Sequence, residues 1–371
     1  MSDEPIYALT MPKWGMAMDE GTVTDWHIEE GAVVEEGAEV LDVESTKIAN
    51  GIEAKQAGVL RRRIAAVGDT LPVGGLLGVV AEASVSDAAI DEFVGGFEVE
   101  TPDDDGAEAG PATETVMVGD RTIRFLANGE DDGVPVVLAH GFGGDLNTWM
   151  FNQPALADGR RVYALDLPGH GGSSKDVGDG SLDVLDDVLG GFMASLGIER
   201  AHLAGHSLGG AVALARALAR PETVASVTLL ASAGLGPEIN GGYIDGFVAA
   251  ERRKDMKAVL PALFADPKLV SRQMVDDVLK AKRIDGATEA LGALAAAQFA
   301  DGVQAVSLTA RAGDLTMPVQ VIWGADDAII PASHANNLAG AKVTIIDDAG
   351  HMPHMEAAAT VNALMTEFMT P

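Results

Sequence analysis

No cysteine occurs among the 371 residues, which excludes disulfides, thiolate metal sites and a cysteine nucleophile. No apolar run approaches the ~18 residues that span a bilayer. The first residues, Met1 to Glu4, carry acids where a signal peptide would carry cations. Positive charge is also scarce: 25 Lys and Arg stand against 56 Asp and Glu, for a net charge of −31. That balance argues against nucleic acid and anionic membranes as partners, since both need net cation along the contact face. An apolar fraction of 47% is enough for real cores, and the length suggests about two domains. The expectation is an acidic, soluble, cytoplasmic protein with no metal site.

The first 82 residues contain an internal repeat. Glycines at 21, 31 and 37 recur at 58, 68 and 74 with the same spacing, around short β-branched alternations. This is the pattern of short strands bounded by glycine turns. Two copies are too few for a solenoid and suit one small all-β unit with two similar halves. The joint between the halves, 44–57, must turn, and Lys47 lies in it.

From 83 to 114 the composition breaks. Ten acids and no Lys or Arg fall between Asp87 and Glu114, which marks an acidic linker. Its beginning carries a helical pattern: Ile90, Phe93, Val94 and Phe97 follow Ser86 at i, i+3, i+4 and i+7 spacing. Beyond 115, apolar runs at 134–139, 162–167, 201–204, 224–231, 319–323 and 343–346 read as buried strands. Helical stretches near 182–196, 208–219 and 357–369 separate several of them. The expectation is a mostly parallel sheet covered on both faces, with a helical cap inserted at about 236–312.

Gly205-His206-Ser207-Leu208-Gly209 sits between a strand and a helix, where G-x-S-x-G forms a sharp turn that raises the serine hydroxyl. Alone, this string is an ordinary strand–helix turn. Three further pieces stand in the order a Ser-Asp-His site needs. His140-Gly141-Phe142-Gly143 follows a strand and suits an oxyanion loop, with the amides of Phe142 and Leu208 as donors. Asp326-Asp327 follows a strand exit, with Asp327 favoured and Asp326 the alternative. Gly350-His351 precedes the last helix. His351 is the expected base for Ser207; His140, His170, His206 and His354 read as structural or pocket-lining.

With these strings, residues 115–371 resemble the α/β-hydrolase superfamily. Residues 1–82, through Glu20-Gly21-Thr22-Val23 and Val43-Glu44-Ser45-Thr46-Lys47, resemble lipoyl and biotinyl carrier domains. That likeness implies a flattened β-barrel of two quasi-symmetric halves with lipoate carried on Lys47. The two halves of the chain together resemble the dihydrolipoamide acetyltransferase components of acetoin dehydrogenase complexes. The resemblance implies transfer of acetyl from lipoyl-Lys47 to coenzyme A through Ser207, His351 and Asp327. It also implies a thiamine-diphosphate-dependent acetoin-cleaving partner, a dihydrolipoamide dehydrogenase, a lipoate ligase and a homo-oligomer. A tether over 98–114 would reach roughly 20–25 Å. Arg252, Arg253, Lys254 and Lys257 are candidates to meet the coenzyme phosphates, against the reading of a solvated helix face. Two other readings stand beside this one: an esterase or thioesterase that uses the carrier only as a tether, and an assembly subunit with a vestigial triad.

Overall fold

The structure, a computed structural model, describes residues 5–11, 20–35, 37–44, 49–97, 112–130 and 133–369. It divides into two compact units, Met1–Gly110 and Pro111–Pro371.

The first unit holds β1 (Ile6–Thr10), β2 (Glu20–Trp26), β3 (Val33–Val34), β4 (Glu39–Glu44), β5 (Ala49–Glu53), β6 (Gly58–Arg63), β7 (Thr70–Pro72) and β8 (Leu76–Ala81). They form two antiparallel four-stranded sheets, β1-β8-β6-β3 and β5-β4-β2-β7. The internal repeat maps onto this pairing. β2, β3 and β4 correspond to β6, β7 and β8, and each half sends its short strand, β3 or β7, into the other half's sheet. The repeated turn glycines Gly31, Gly37, Gly68 and Gly74 all have φ between 83° and 95°, a region open to glycine and strained for other residues. Val23, Val40, Leu41, Val43, Leu60, Leu77 and Val80 form the core between the sheets, with Trp26 donating its indole N–H to the Ala65 carbonyl at 2.9 Å.

Ser86 caps α1 (Asp87–Gly95), which lays Ile90 on Leu76, Val79 and Ala81. Arg61 binds Asp87 at 2.9 Å and Arg62 binds Asp91 at 3.2 Å, pinning the helix to β6. Residues 83–97, at the head of the acidic stretch, therefore pack with the sheets rather than run as free chain. The joint residue Lys47 lies between β4 and β5, outside the described residues, as does most of the remaining acidic stretch, 98–111.

The second unit is built on an eight-stranded sheet, β16-β15-β14-β13-β11-β12-β10-β9. Its strands are β9 (Glu114–Val118), β10 (Arg121–Asn128), β11 (Val136–Ala139), β12 (Val162–Leu165), β13 (Ala201–His206), β14 (Val224–Leu230), β15 (Val319–Gly324) and β16 (Lys342–Ile346). β11 to β16 pair in parallel, and a β9–β10 hairpin adds an antiparallel edge. Both faces of β11 are covered, which is why its sequence is apolar without alternation. Val136 and Leu138 pack with Trp149, Val361 and Met365, whereas Val137 and Ala139 join Leu185, Phe192 and Leu214.

The covering helices are α2 (Gln153–Leu156), α3 (Leu182–Ser195) and α4 (Leu208–Ala219), then α9 (Pro353–Glu356) and α10 (Ala358–Met369) at the end of the chain. Between β14 and β15 the chain inserts α5 (Gly241–Ala249), α6 (Arg253–Val259), α7 (Arg272–Lys282) and α8 (Ala287–Gln298). Among the described residues no helix is long and apolar enough to cross a membrane.

Candidate active site

The C-terminal ends of β11, β13, β15 and β16 gather the site. At the end of β13 the chain turns through Ser207 at φ 50° and ψ −116°, outside the regions ordinary residues prefer, and enters α4 directly. The turn closes because Gly205 and Gly209 lack side chains. A Cβ on Gly205 would collide with the Gly209 carbonyl, and one on Gly209 with the Ala139 carbonyl. Ser207 is buried, and its amide donates to Leu230 O at 3.0 Å.

His351, between β16 and α9, donates from Nδ1 to Asp327 Oδ2 at 2.8 Å. Both side chains are at most 3% exposed. The same carboxylate oxygen accepts the Trp323 indole N–H at 2.8 Å, and Oδ1 accepts the amides of Ile329 and Ile330 at 2.8 and 3.0 Å. Four donors thus fix the acid, and its hydrogen bond fixes the imidazole with the proton on Nδ1 and Nε2 as the open acceptor. Asp326 is exposed, and its backbone amide donates to Ala349 O at 2.9 Å. Of the adjacent acids, Asp327 is the one against His351.

The loop of His351 is tied to the serine turn by His206, which the sequence reads as structural or pocket-lining. His206 Nε2 donates to the His351 carbonyl at 2.7 Å, and the two rings lie 4.8 Å apart. Burial, reinforced by His354 and His351, holds His206 well below the usual histidine pKa, so it is neutral with one proton to place. On the other side, Leu263 O accepts the His351 amide at 2.9 Å. Glu356 accepts the amides of Gly350 and Ala265, each at 2.8 Å, and burial raises its pKa. His354 lies tilted between Trp149 and His206, with centroids at 4.6 and 4.7 Å, and burial followed by His351 lowers its pKa to about 3.

The loop after β11 carries Phe142. Neither the Phe142 nor the Leu208 amide donates to another group among the described residues, so both remain available to an incoming oxygen. Gly143 N donates to His170 Nε2 at 3.0 Å, and His170 Nδ1 donates to Pro168 O at 3.0 Å. Burial, aided by His140, lowers the His170 pKa to about 3 and keeps Nε2 an acceptor. Asp166 accepts Arg124 Nε at 2.6 Å and the Leu146 amide at 2.8 Å, which ties the far end of this loop to β10. Above it, Phe142 packs edge-on against Phe247 of α5 at 5.8 Å and Phe299 at 5.9 Å. Gly143, at φ +75°, lies so close to the Phe247 ring that no Cβ would fit. Phe247 is held in turn by Lys282, whose Nζ donates to the carbonyls of Phe247, Val248 and Ala250. The arrangement is a buried acid–imidazole pair beside a strained serine and two free amides, under an aromatic lid. It is suited to acyl transfer away from bulk water.

Comparison with known proteins shows the family of each unit. A profile described as "alpha/beta hydrolase fold" matches residues 134–358, and one described as "Biotin-requiring enzyme", of the biotin/lipoyl type, matches residues 8–80. The chain is 50% identical over 98% of its length to the dihydrolipoyllysine-residue acetyltransferase component of the acetoin cleaving system of Pseudomonas putida, covering 98% of that protein. It is 46% identical over 98% of its length to the component of the same name from Cupriavidus necator, covering 97% of it. The chain belongs to this acetyltransferase family. The same fold occurs in hydrolases of different activity. A meta-cleavage product hydrolase matches at TM-score 0.63 and 25% identity, over 69% of this chain and 97% of the other. The fold therefore defines the acetyltransferase scaffold, and the choice of acceptor must lie in the site.

Proposed function

We propose that the protein moves an acetyl group from a lipoyl thioester on Lys47 to coenzyme A through Ser207, as the acetyltransferase component of an acetoin-cleaving complex. The observation that carries this reading is the His351–Asp327 bond of 2.8 Å beside the Ser207 turn, in a chain whose first unit matches the biotin/lipoyl profile. The fit of lipoate rests on the β4–β5 hairpin: Glu44 pairs with Ala49, and Lys47 stands among the four residues that join them. Amide-linked lipoate supplies a dithiol that holds the acetyl group as a thioester.

In this mechanism Ser207 Oγ attacks the thioester carbonyl while His351 Nε2 takes its proton. The Phe142 and Leu208 amides stabilise the oxyanion. Asp327 stabilises the imidazolium, and His351 then returns the proton to the departing sulfur. Acetyl-Ser207 remains. His351 next takes the proton of the coenzyme thiol, whose sulfur attacks the ester, and returns that proton to Ser207 Oγ as the acetyl–oxygen bond breaks. The lid of Phe142, Phe247 and Phe299 disfavours water in that second step. The reading places a thiamine-diphosphate enzyme upstream and a dihydrolipoamide dehydrogenase downstream.

The test supplies reductively acetylated protein with and without coenzyme A. Acetyl-CoA as the main product supports the reading, whereas free acetate regardless of coenzyme makes the protein a thioesterase. Ser207→Ala should abolish acetyl-CoA while intact mass still shows an acetylated lipoyl group on Lys47. Retained turnover would move the chemistry away from Ser207.

A further inference from the structure

Within a chain of net charge −31, residues 252–283 carry nine of the 25 Lys and Arg against four acids. This stretch contains α6, α7 and the segment between them, and its sign is opposite to that of the whole molecule. Part of the charge is neutralised internally. Arg252 binds Asp255 at 3.0 Å, Arg253 binds Asp276 at 2.8 Å, and Lys282 is buried on backbone carbonyls. Lys254, Lys257, Lys280 and Arg283 are exposed and have no carboxylate at ion-pair distance among the described residues. Each pair is spaced i, i+3, so each shares one helix face. α7 crosses the start of α6 along the stretch that contains Lys280, pinned by Arg253–Asp276 on one side and by Lys282 Nζ to Ala250 O at 2.6 Å on the other.

The helix that carries Lys254 and Lys257 leads along the chain to the candidate site. α6 runs on through residues 260–263 to Leu263, whose carbonyl accepts the His351 amide at 2.9 Å. Lys257 precedes Leu263 by six residues, on the order of 10 Å along a helix. We propose that the α6–α7 face binds the phosphates of the coenzyme acceptor, its diphosphate and ribose phosphate, so that the uncharged thiol arm reaches Ser207. The two unpaired cation pairs of this face, in a carboxylate-rich protein, fit a ligand carrying several negative charges better than a neutral one. The inference rests on the acetyl-transfer reading and adds to it the binding surface of the acceptor.

Equilibrium binding of coenzyme A to the full-length protein tests it without turnover. Lys254→Glu with Lys257→Glu should weaken coenzyme A at least tenfold, whereas the Arg pair at the same positions should retain affinity. A thermal midpoint close to that of the parent would show the Glu variant to be folded. Coenzyme A should bind the parent more weakly as salt rises, and dephospho-coenzyme A and pantetheine should bind it progressively less. Unchanged affinity in the Glu variant, or equal binding of pantetheine and coenzyme A, overturns the proposal. Loss of binding to an acidic protein partner with coenzyme affinity intact also overturns it. If the parent binds the coenzyme through these lysines but releases only acetate, the transfer reading fails and the site stands. If it makes acetyl-CoA and the lysine variants bind normally, the reverse holds.

Discussion

At Asp327, one carboxylate serves four donors, and only one of them belongs to the candidate base. Asp327→Asn can keep the amide contacts through its carbonyl oxygen but presents the wrong partner to one orientation of His351. The expected result is a fall in kcat of about 10³–10⁴-fold with the thermal midpoint little changed. Asp326→Asn should stay within about twofold, and steady-state acetyl-CoA formation by the two variants checks the pair. Two other histidines set a pH response. His170 and His354 have folded pKa values of about 3, below the unfolded value near 6.5, so the unfolded chain binds their protons first. Their contribution is complete above about pH 6.5 and is lost as pH falls toward 3, each costing on the order of 1 kcal/mol per pH unit in that window. Hydrogen exchange of peptides from residues 133–369 should show falling protection from pH 7 to 5, and His354→Phe should flatten the trend. At this scale the short strings around Ser207, Asp327 and His351 are legible in the sequence. The His206 bond to the His351 carbonyl and the Glu356 bond to Ala265 join residues 145 and 91 positions apart, and no local pattern announces them.

Among the elements, α5 connects the cap to the oxyanion loop. Lys282 grips its last carbonyls, Phe247 presses on Gly143, and Gly143 is bound to His170. Gly143→Ala should therefore lower kcat at least tenfold, through both the left-handed backbone and the collision with Phe247. Adding Phe247→Ala should recover part of the loss, the remainder reflecting backbone strain; a double-mutant cycle on kcat measures that share. No recovery would mean that the ring is not what crowds the loop. Strands buried on both faces, such as β11 and β14, are easily read because they are continuous apolar runs. The β9–β10 hairpin is not. β9 is mostly exposed and β10 mixes partial with full burial, with Arg121 paired to the exposed Asp176 and Arg124 reaching the buried Asp166. A half-covered edge strand carries too weak a periodicity to stand out from a polar loop.

Over the whole molecule, 31 uncompensated negative charges repel one another while the α6–α7 face carries the other sign. Salt should act on these two features in opposite directions. Raising sodium chloride from about 0.05 to 0.5 M shortens the Debye length from roughly 14 to 4 Å, relieving the general repulsion. The thermal midpoint should rise over that range while coenzyme affinity falls. Calorimetric scans and titrations in the same buffers check both signs. Parallel changes in the two quantities would assign the effect to something other than charge.

In the first unit, the exchange of β3 and β7 between the repeated halves means that neither half holds a finished sheet. A backbone nick near residue 56 would yield two fragments, the first with β1 and β3 orphaned and the second with β7 orphaned, each with an open hydrophobic side. Separately they should be molten or sticky. Mixed in equal amounts, they should fold by mutual templating, so the smallest autonomous piece of this unit is the complete pair.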